Sequence, residues 1–173
     1  MAGKGVIMMP KISACVITKN EEKNIVNWLK CMKVLADEMV VVDTGSEDRT
    51  VEIAKESGAL IYKLDWKNDF SYAKNYAIDR ATGDWIVFLD ADEYFTEASI
   101  DKVKCEIEKV DKEKIDAIIC KIVNINADDN NRYMSSFYNL RIFKNNENLR
   151  YENKVHEMLK TKNAEKLRLL KLD

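Results

Sequence analysis

Near its centre the chain reads Trp85-Ile86-Val87-Phe88-Leu89-Asp90-Ala91-Asp92-Glu93. The apolar residues run together without polar alternation, which is typical of a strand buried on both faces in a parallel sheet. Asp90 and Asp92 follow at positions i and i+2, where that strand ends. Ligands bind at the carboxyl ends of the strands in open α/β sheets. This stretch therefore predicts an α/β fold with a ligand site beside two carboxylates.

The spacing of Asp90 and Asp92 predicts a bound cation. In extended backbone the two side chains point the same way, roughly 6–7 Å apart. Two carboxylates brought to 4 Å repel by about 4 kcal/mol at an effective dielectric near 20. Oxygen ligands suit Mg²⁺ or Mn²⁺, which completes its shell with water and phosphate oxygens. An isolated D-x-D is more often a solvated turn, but the preceding apolar strand and a second acidic strand end at Asp43 favour the metal.

The chain before this stretch alternates strands with helices. Further buried strands are predicted at Ile12–Ile17, Met39–Val42 and Leu60–Tyr62, and helices at Glu21 to about Lys33, Arg49–Ser57 and Asp69 to about Ala81. This alternation implies right-handed crossovers. We therefore expect a Rossmann-like, mostly parallel sheet with helices on both faces.

The organisation changes after about Val110. Residues 116–125 and 136–144 are strand candidates separated by a polar turn, which predicts a mixed or antiparallel second half. The Lys- and Leu-rich tail from Lys160 is predicted as a short amphipathic helix. We expect a leader over residues 1–10, a Rossmann-like part over 11–125 and a second part over 126–173, within one compact domain.

Composition excludes several classes of function. The net charge of −2 provides no basic surface for nucleic acid. Four dispersed cysteines and a single histidine make a zinc site improbable and are typical of reduced thiols in a cytosolic protein. No apolar run approaches the roughly 20 residues of a membrane helix. A cytoplasmic location is expected, and peripheral contact with the inner face of the membrane is compatible with it.

The strand ends should converge on one cleft. They carry Thr18-Lys19-Asn20, Asp43 and Asp90-Ala91-Asp92. An acidic strand end such as Asp43 accepts hydrogen bonds from a ribose or a base. Some of these residues have a local alternative, since Thr18-x-x-Glu21 and Thr44-x-x-Glu47 both fit helix capping boxes.

Residues outside the strand ends are also ambiguous. Lys74 and Asn75 lie on a predicted helix and are either site residues or plain solvent-facing ones. Arg141 and Lys144 are either phosphate contacts or surface charges. His156, beside Glu157, is a candidate base.

Four motifs in order resemble family 2 glycosyltransferases. They are Ile17-Thr18-Lys19-Asn20-Glu21-Glu22, Val41-Val42-Asp43-Thr44-Gly45-Ser46 followed by Asp48 and Thr50, Phe70-Ser71-x-Ala73-Lys74-Asn75, and Gly83-Asp84-Trp85 through Glu93. Leu140-Arg141-Ile142-Phe143-Lys144 and Tyr151 to Glu157 more loosely resemble the lipopolysaccharide-core glucosyltransferase-like subgroup.

The resemblance implies a GT-A fold and transfer of a sugar, with inversion, from a nucleoside diphosphate sugar, by default a UDP-sugar. The acceptor would be a glycan, a lipid-linked molecule or a peptide. By the same resemblance, residues 11–125 would be the nucleotide-sugar-binding part and residues 126–173 the acceptor-side part. The residues implied as donor contacts are Thr18, Lys19, Asn20, Glu22, Asp43, Lys74, Asp90 and Ala91. Asp92, with Asp90, would ligate Mn²⁺ or Mg²⁺. Glu157 is the first candidate for the catalytic base, His156 the second, and Asp128 and Asp129 are outsiders.

Other functions were weighed against these motifs. A nucleotidyltransferase normally has a glycine-rich loop after its first strand, and Thr18-Lys19-Asn20-Glu21-Glu22 has no glycine. A phosphatase of the D-x-D type needs its nucleophilic Asp after the first strand, not the fourth. A non-catalytic nucleotide-sugar-binding module, or a donor-binding half that needs a partner, remains the alternative.

Overall fold

The computed structural model describes residues 9–163 and 166–172, which form a seven-stranded sheet, a two-stranded sheet and four helices. The elements in chain order are β1 (Ile12–Thr18), α1 (Ile25–Leu35), β2 (Glu38–Asp43), α2 (Thr50–Glu56), β3 (Leu60–Lys63), α3 (Phe70–Ile78), β4 (Trp85–Phe88), α4 (Glu97–Asp111), β5 (Ala117–Asn126), β6 (Arg132–Lys144), β7 (Leu149–Glu152), β8 (Met158–Thr161) and β9 (Leu169–Leu172).

The large sheet has the strand order β3-β2-β1-β4-β6-β5-β9. The first four strands are parallel, as predicted, and every residue of β4 is buried. β6 runs antiparallel to both of its neighbours, and β9 is parallel to β5. The predicted α/β class with a mixed second half is confirmed. Because β6 lies between β4 and β5, the second half completes the sheet of the first.

Helices cover both faces of this sheet. On one face, Trp28 and Met32 of α1 and Ile107 of α4 belong to the hydrophobic cluster that includes Ala14 and Val16 of β1. On the other face, Ala77 and Ile78 of α3 cluster with Phe88 of β4 and with Cys15 of β1. Cys15 lies between Ala14 and Val16 in the sequence and points to the opposite face. Successive strand residues point to opposite faces, so an unbroken apolar strand supplies both layers of the core.

The segment before β4 approaches β1 too closely for a side chain. A Cβ on Gly83 would lie 2.5 Å from Ser13 Oγ and 2.8 Å from Ser13 N. The Gly83 N–H donates to Ser13 Oγ at 2.7 Å, and that hydroxyl donates in turn to Glu38. The three strands β1, β2 and β4 are therefore tied together at the end of the sheet opposite Asp43 and Asp90.

The tail prediction was wrong. Instead of an amphipathic helix from Lys160, the structure has β8, which pairs with β7, and β9, which pairs with β5. Leu169 to Leu172 alternate between exposed and half-buried. The open edge of β5 supplies backbone hydrogen bonds, and such tertiary pairing overrides local helical propensity.

Two further differences concern helices. α1 begins at Ile25 rather than Glu21, and neither capping box forms: Thr44 Oγ1 donates to the Thr18 carbonyl, while Thr18 Oγ1 has no hydrogen-bond partner among the described residues. α4 was not predicted, although Ile100, Val103, Ile107 and Val110 recur at helical spacing and are buried.

The remaining boundaries are less informative. Most of the predicted leader, residues 1–8, lies outside the described residues, and the boundary near residue 125 stays a prediction. Within the described part of the chain, no helix is long and apolar enough to cross a membrane.

Candidate functional site

The turn after β4 presents its acidic residues in different environments. The Glu93 N–H donates to the Asp90 carbonyl at 3.0 Å, and the Asp90 N–H donates to Glu93 Oε2 at 3.1 Å. These two bonds close the turn. Ala91 is buried beneath it, whereas Asp92 is exposed at its tip. The D-x-D pair is therefore divided into one anchored and one exposed carboxylate.

Arg141 of β6 anchors this turn from the neighbouring strand. Its Nη2 lies 2.8 Å from Asp90 Oδ2 and also donates to Glu93 Oε1. The side chain of Arg141 is only 7% exposed, and that of Glu93 16%. Burial raises the pKa of Glu93, and the charge of Arg141 only partly offsets that effect. Burial lowers the pKa of Arg141, but Asp90 and Glu93 together raise it above its ordinary value.

A β-bulge aims Arg141 at the turn. Ile118 pairs with Ile142 and Ile119 with Leu140, so Arg141 is the extra residue between two paired positions. Bulges re-aim a side chain and are common beside active sites. No spacing in the sequence reveals such an extra residue, which explains why Arg141 could be predicted only as either a phosphate contact or a surface charge.

Lys74 of α3 joins the turn to a second loop. Its side chain is 3% exposed, and its Nζ lies 2.7 Å from Glu157 Oε1 and 3.5 Å from Asp90 Oδ1. The rings of Phe88 and Tyr151 flank the ammonium group, with centroids 5.2 and 5.1 Å away. The solvent-facing alternative for Lys74 is therefore wrong. Three predicted site residues, Lys74, Asp90 and Glu157, are brought into one charged cluster.

The same face of α3 holds the loop that carries Glu157. The Asn75 side chain donates to the Tyr151 carbonyl and accepts from the Tyr151 N–H, both at 2.9 Å. Ser71 Oγ donates to the Asn153 carbonyl. Positions i, i+3 and i+4 share one helix face, so Ser71, Lys74 and Asn75 act on one neighbouring segment. The sequence left Asn75 open as either a site residue or a solvent-facing one, and it gave Ser71 no role of its own, although this spacing was available as a signal.

The loops after β1 and β2 are interlocked. The Asn20 N–H donates to Ser46 Oγ at 2.9 Å, and Asn20 Oδ1 accepts from the Glu47 N–H at 2.8 Å. Asn20 has a φ of 58°, which an Asn adopts more readily than most residues. The Glu22 N–H donates to Asp48 Oδ2 at 3.1 Å. These bonds give the predicted nucleoside-binding residues Asn20 and Glu22 a fixed backbone.

Asp43 lies buried between these loops. Its carboxylate accepts from the N–H groups of Gly45 and Ser46, at 3.2 Å each. Thr18 is its register partner on β1, and the buried Thr18 Oγ1 has no hydrogen-bond partner among the described residues. Lys19 is exposed beside it. A buried hydroxyl without a partner is costly, so Thr18 Oγ1 is a polar atom next to Asp43 that the described residues leave unsatisfied.

Asp128 and Asp129 lie apart from the cluster, whereas His156 is next to Glu157 in sequence. His156 is exposed, with a φ of 56°. Asp128 and Asp129 precede Arg132, nine residues along β6 from Arg141, and an extended strand covers about 30 Å over nine residues. Asp129 pairs there with Arg132 at 2.9 Å. Of the predicted bases, Glu157 is the one in contact with the charged cluster.

The fold and the site together define an α/β domain of GT-A architecture. A sequence model of the family described as glycosyl transferase family 2 matches residues 13–164. The chain therefore belongs to glycosyl transferase family 2. The narrower resemblance to the lipopolysaccharide-core subgroup stays a prediction.

Two curated relatives illustrate the extent of the similarity. The SPbeta prophage-derived glycosyltransferase SunS of Bacillus subtilis is 32% identical over 153 residues, which cover 86% of this chain and 34% of SunS. A TPR repeat-containing protein of Synechococcus elongatus is 49% identical over 85 residues, 49% of this chain and 21% of that protein. The chain thus spans between a fifth and a third of these relatives' length.

Solved structures share the fold. S. aureus TarS residues 1–349 in complex with UDP-GlcNAc has a TM-score of 0.58 at 25% identity, covering 68% of this chain and 36% of that one. The mannosyltransferase PcManGT of Pyrobaculum calidifontis, in complex with GDP-Man and Mn²⁺, has a TM-score of 0.57 at 23% identity, covering 65% and 36%. The second likeness is evidence of fold alone.

Proposed function

We propose that this chain is the donor-binding and catalytic domain of an inverting, metal-dependent glycosyltransferase. It moves a sugar from a nucleoside diphosphate sugar, with a UDP-sugar favoured, to a hydroxyl of a glycan, lipid-linked or peptide acceptor in cell-surface glycan or glycoconjugate synthesis. The observation that carries the proposal is the cluster of Lys74, Asp90, Arg141 and Glu157 beside the exposed carboxylate of Asp92.

The comparisons support a nucleotide-sugar donor. SunS is named a glycosyltransferase, and the TarS structure contains UDP-GlcNAc. The order of motifs that led to the family also agrees with the geometry, because three of the four motifs meet at the carboxyl ends of β1, β2 and β4, where open α/β sheets bind ligands. UDP is therefore the first nucleotide to test.

The residues at the β4 turn fit a divalent metal of the Mg²⁺ or Mn²⁺ type. Asp92 is an exposed carboxylate, and Asp90 is 44% exposed but already contacts Lys74 and Arg141. Within the described residues no group of three or more His, Cys, Asp or Glu is arranged to hold a metal. Such a metal needs only one or two protein carboxylates when phosphate oxygens and water complete its shell. We propose Asp92 as the principal ligand, with Asp90 as a further ligand or a contact to metal-bound water.

When bound, the metal would supply positive charge against the negative charge that builds on the departing diphosphate. The buried cation of Arg141 would hold the turn in one orientation, so that Asp92 faces the diphosphate without reorganisation. Thr18, Asp43, Asn20 and Glu22 would form the nucleoside end of the donor site, with Lys19 and Ala91 at its border.

Glu157 is proposed as the base. Inversion requires a group on the opposite side of the sugar to take the proton of the acceptor hydroxyl as that oxygen bonds to the anomeric carbon. A positioned base contributes about 10²–10⁴-fold. Glu157 Oε1 already forms an ion pair with Lys74 Nζ at 2.7 Å, so the other oxygen of the carboxylate would receive the acceptor's proton. His156 is the second candidate, because it is adjacent and exposed.

Calorimetry with UDP, in the presence and absence of Mn²⁺, tests the donor site. Asp92→Asn should abolish the metal-dependent part of UDP binding, because it removes the exposed carboxylate. Asp101→Asn is a matched control, since Asp101 is an exposed carboxylate on α4. This variant should bind UDP as the wild type does.

Release of UDP from UDP-GlcNAc then tests turnover. Slow donor hydrolysis that Glu157→Gln suppresses would support the enzyme. Metal-dependent binding without turnover would favour a non-catalytic module or a donor-binding half that needs a partner. Failure of the wild-type chain to bind any nucleoside diphosphate would refute the proposed function.

A further inference from the structure

The charge of Lys74 is paired with groups of the protein itself. Its Nζ forms ion pairs with Glu157 Oε1 and Asp90 Oδ1, at 2.7 and 3.5 Å. Aromatic rings flank it on its other sides, so a cation that is only 3% exposed is surrounded by its own chain. The sequence predicted Lys74 as a contact to the nucleotide sugar; its surroundings suggest a different role.

The carboxylate of Glu157 needs an external anchor. It follows a loop in which Asn153 and His156 both have positive φ, 77° and 56°, and residues 152–156 are exposed. Ser71, Phe70 and Asn75 hold only the first part of this loop, through the backbone of Tyr151, Asn153 and Lys154. The Glu157 side chain itself is held by Lys74, which comes from the same helix face.

We propose that Lys74 is a positioning residue for Glu157. The ammonium group of Lys74 contacts both the Glu157 carboxylate and Asp90, and so fixes Glu157 at a set distance from the turn after β4. The inference rests on the proposed function, because Lys74 would affect the reaction only by positioning Glu157, the proposed base. It predicts that Lys74 controls turnover and not donor affinity. A displacement of a reacting group by about 1 Å is enough to cost about 10²-fold in rate.

A double-mutant cycle separates this role from a phosphate contact. Hydrolysis of UDP-GlcNAc with Mn²⁺ is measured for the wild type, Lys74→Met, Glu157→Gln and the double variant, together with UDP affinity by calorimetry. We expect Lys74→Met to lower kcat by about 10²-fold and to leave UDP affinity unchanged within about twofold, the usual error of additivity. In the Glu157→Gln background, Lys74→Met should then change kcat by less than about twofold.

Amide exchange gives a second readout that does not depend on turnover. Lys74→Met and Glu157→Gln should each speed exchange of the Phe70 and Tyr151 amides in the nucleotide-free chain, because these N–H groups tie the loop to α3 by donating to the Lys154 carbonyl and to Asn75 Oδ1. The double variant should be no faster. Lys55→Met is the matched control, because Lys55 is an exposed lysine on α2, and it should leave these amides unchanged. Where Lys74→Met does not fold, Lys74→Arg keeps the charge but alters its reach and geometry, and should show the same loss of kcat and faster exchange.

Two results would overturn the inference. One is a loss of UDP affinity of about tenfold or more in Lys74→Met with kcat retained, as expected for a phosphate contact. The other is a double variant whose loss of kcat equals the product of the losses in Lys74→Met and Glu157→Gln, since this would show that the two residues act independently. Failure of wild-type UDP binding would instead refute the proposed function, and the exchange of the Phe70 and Tyr151 amides would still show whether Lys74 holds the loop of Glu157.

Discussion

Replacing Arg141 by Met tests the buried half of the charged cluster. Met keeps much of the apolar stem but removes the cation that contacts Asp90 and Glu93. Removing one partner of a buried ion pair costs about 3–5 kcal/mol, because the other charge is left unpaired. Glu93 is 16% exposed, but Asp90 is 44% exposed and water screens part of its share. We therefore expect the lower end, a loss of about 3 kcal/mol near pH 8.

The loss should depend on pH in a defined direction. Burial raises the pKa of Glu93 above its ordinary value while Arg141 lowers it, so the Arg141→Met variant should raise that pKa further. At pH values between the pKa of Glu93 in the unfolded chain and its higher pKa in the folded variant, the native state binds more protons than the unfolded chain. In that range the stability of the variant falls as pH rises. The deficit of the variant should be smaller near pH 4.5 than near pH 8, because the raised pKa of Glu93 favours its protonated form at the lower pH.

Urea unfolding at the two pH values measures this difference. With a slope of about 2 kcal/mol per molar urea, a loss of about 3 kcal/mol moves the midpoint down by about 1.5 M. Arg49→Met is the matched control: Arg49 pairs with Glu52 at 3.0 Å on the surface, where both side chains are more than half exposed, and its midpoint should equal that of the wild type. A deficit near pH 8 that is no larger than the one near pH 4.5 would refute the reasoning, as would a loss below about 1 kcal/mol.

Two further outcomes follow from packing and burial. Gly83→Ala places a Cβ 2.5 Å from Ser13 Oγ and 2.9 Å from a backbone oxygen; overpacking of this kind costs about 1–3 kcal/mol, which urea unfolding would detect, and an equally stable variant would contradict the close approach. Burial raises the pKa of Cys120 to about 12 and raises that of Cys15 still further, so a thiol-specific reagent near neutral pH should label the exposed Cys105 in the native chain and these two only on unfolding. Fast labelling of Cys15 or Cys120 in the folded protein would show that the sheet opens.

The parallel half of the sheet could be predicted because its signal is local. β1, β2 and β4 are apolar runs without polar alternation, which only a doubly covered sheet can accommodate. Each run ends in residues that an apolar core would reject, such as Asp43 and Asp90, and this marked the ligand edge as well as the strand boundaries. The expected Rossmann-like sheet followed from these segments, whereas the GT-A fold and the family followed from the resemblance of the four motifs.

The tail could not be predicted from such a signal. Leu169–Leu172 forms a strand because the open edge of β5 offers backbone partners to it. The residues themselves are compatible with either a helix or a strand, so the pairing decides between them. α4 differs, since its helical spacing was visible in the sequence.

The composition and order of the chain were enough to establish an open α/β sheet and to indicate which strand ends carry acidic groups. The reason is that a strand buried on both faces needs an unbroken run of apolar residues, which is visible in the sequence. They were not enough to establish which charges meet. Lys74, Asp90, Arg141 and Glu157 come from a helix, a turn, a bulged strand and a loop. An ion pair depends on separation in space and on exclusion of water, and both arise only when these distant elements have packed together.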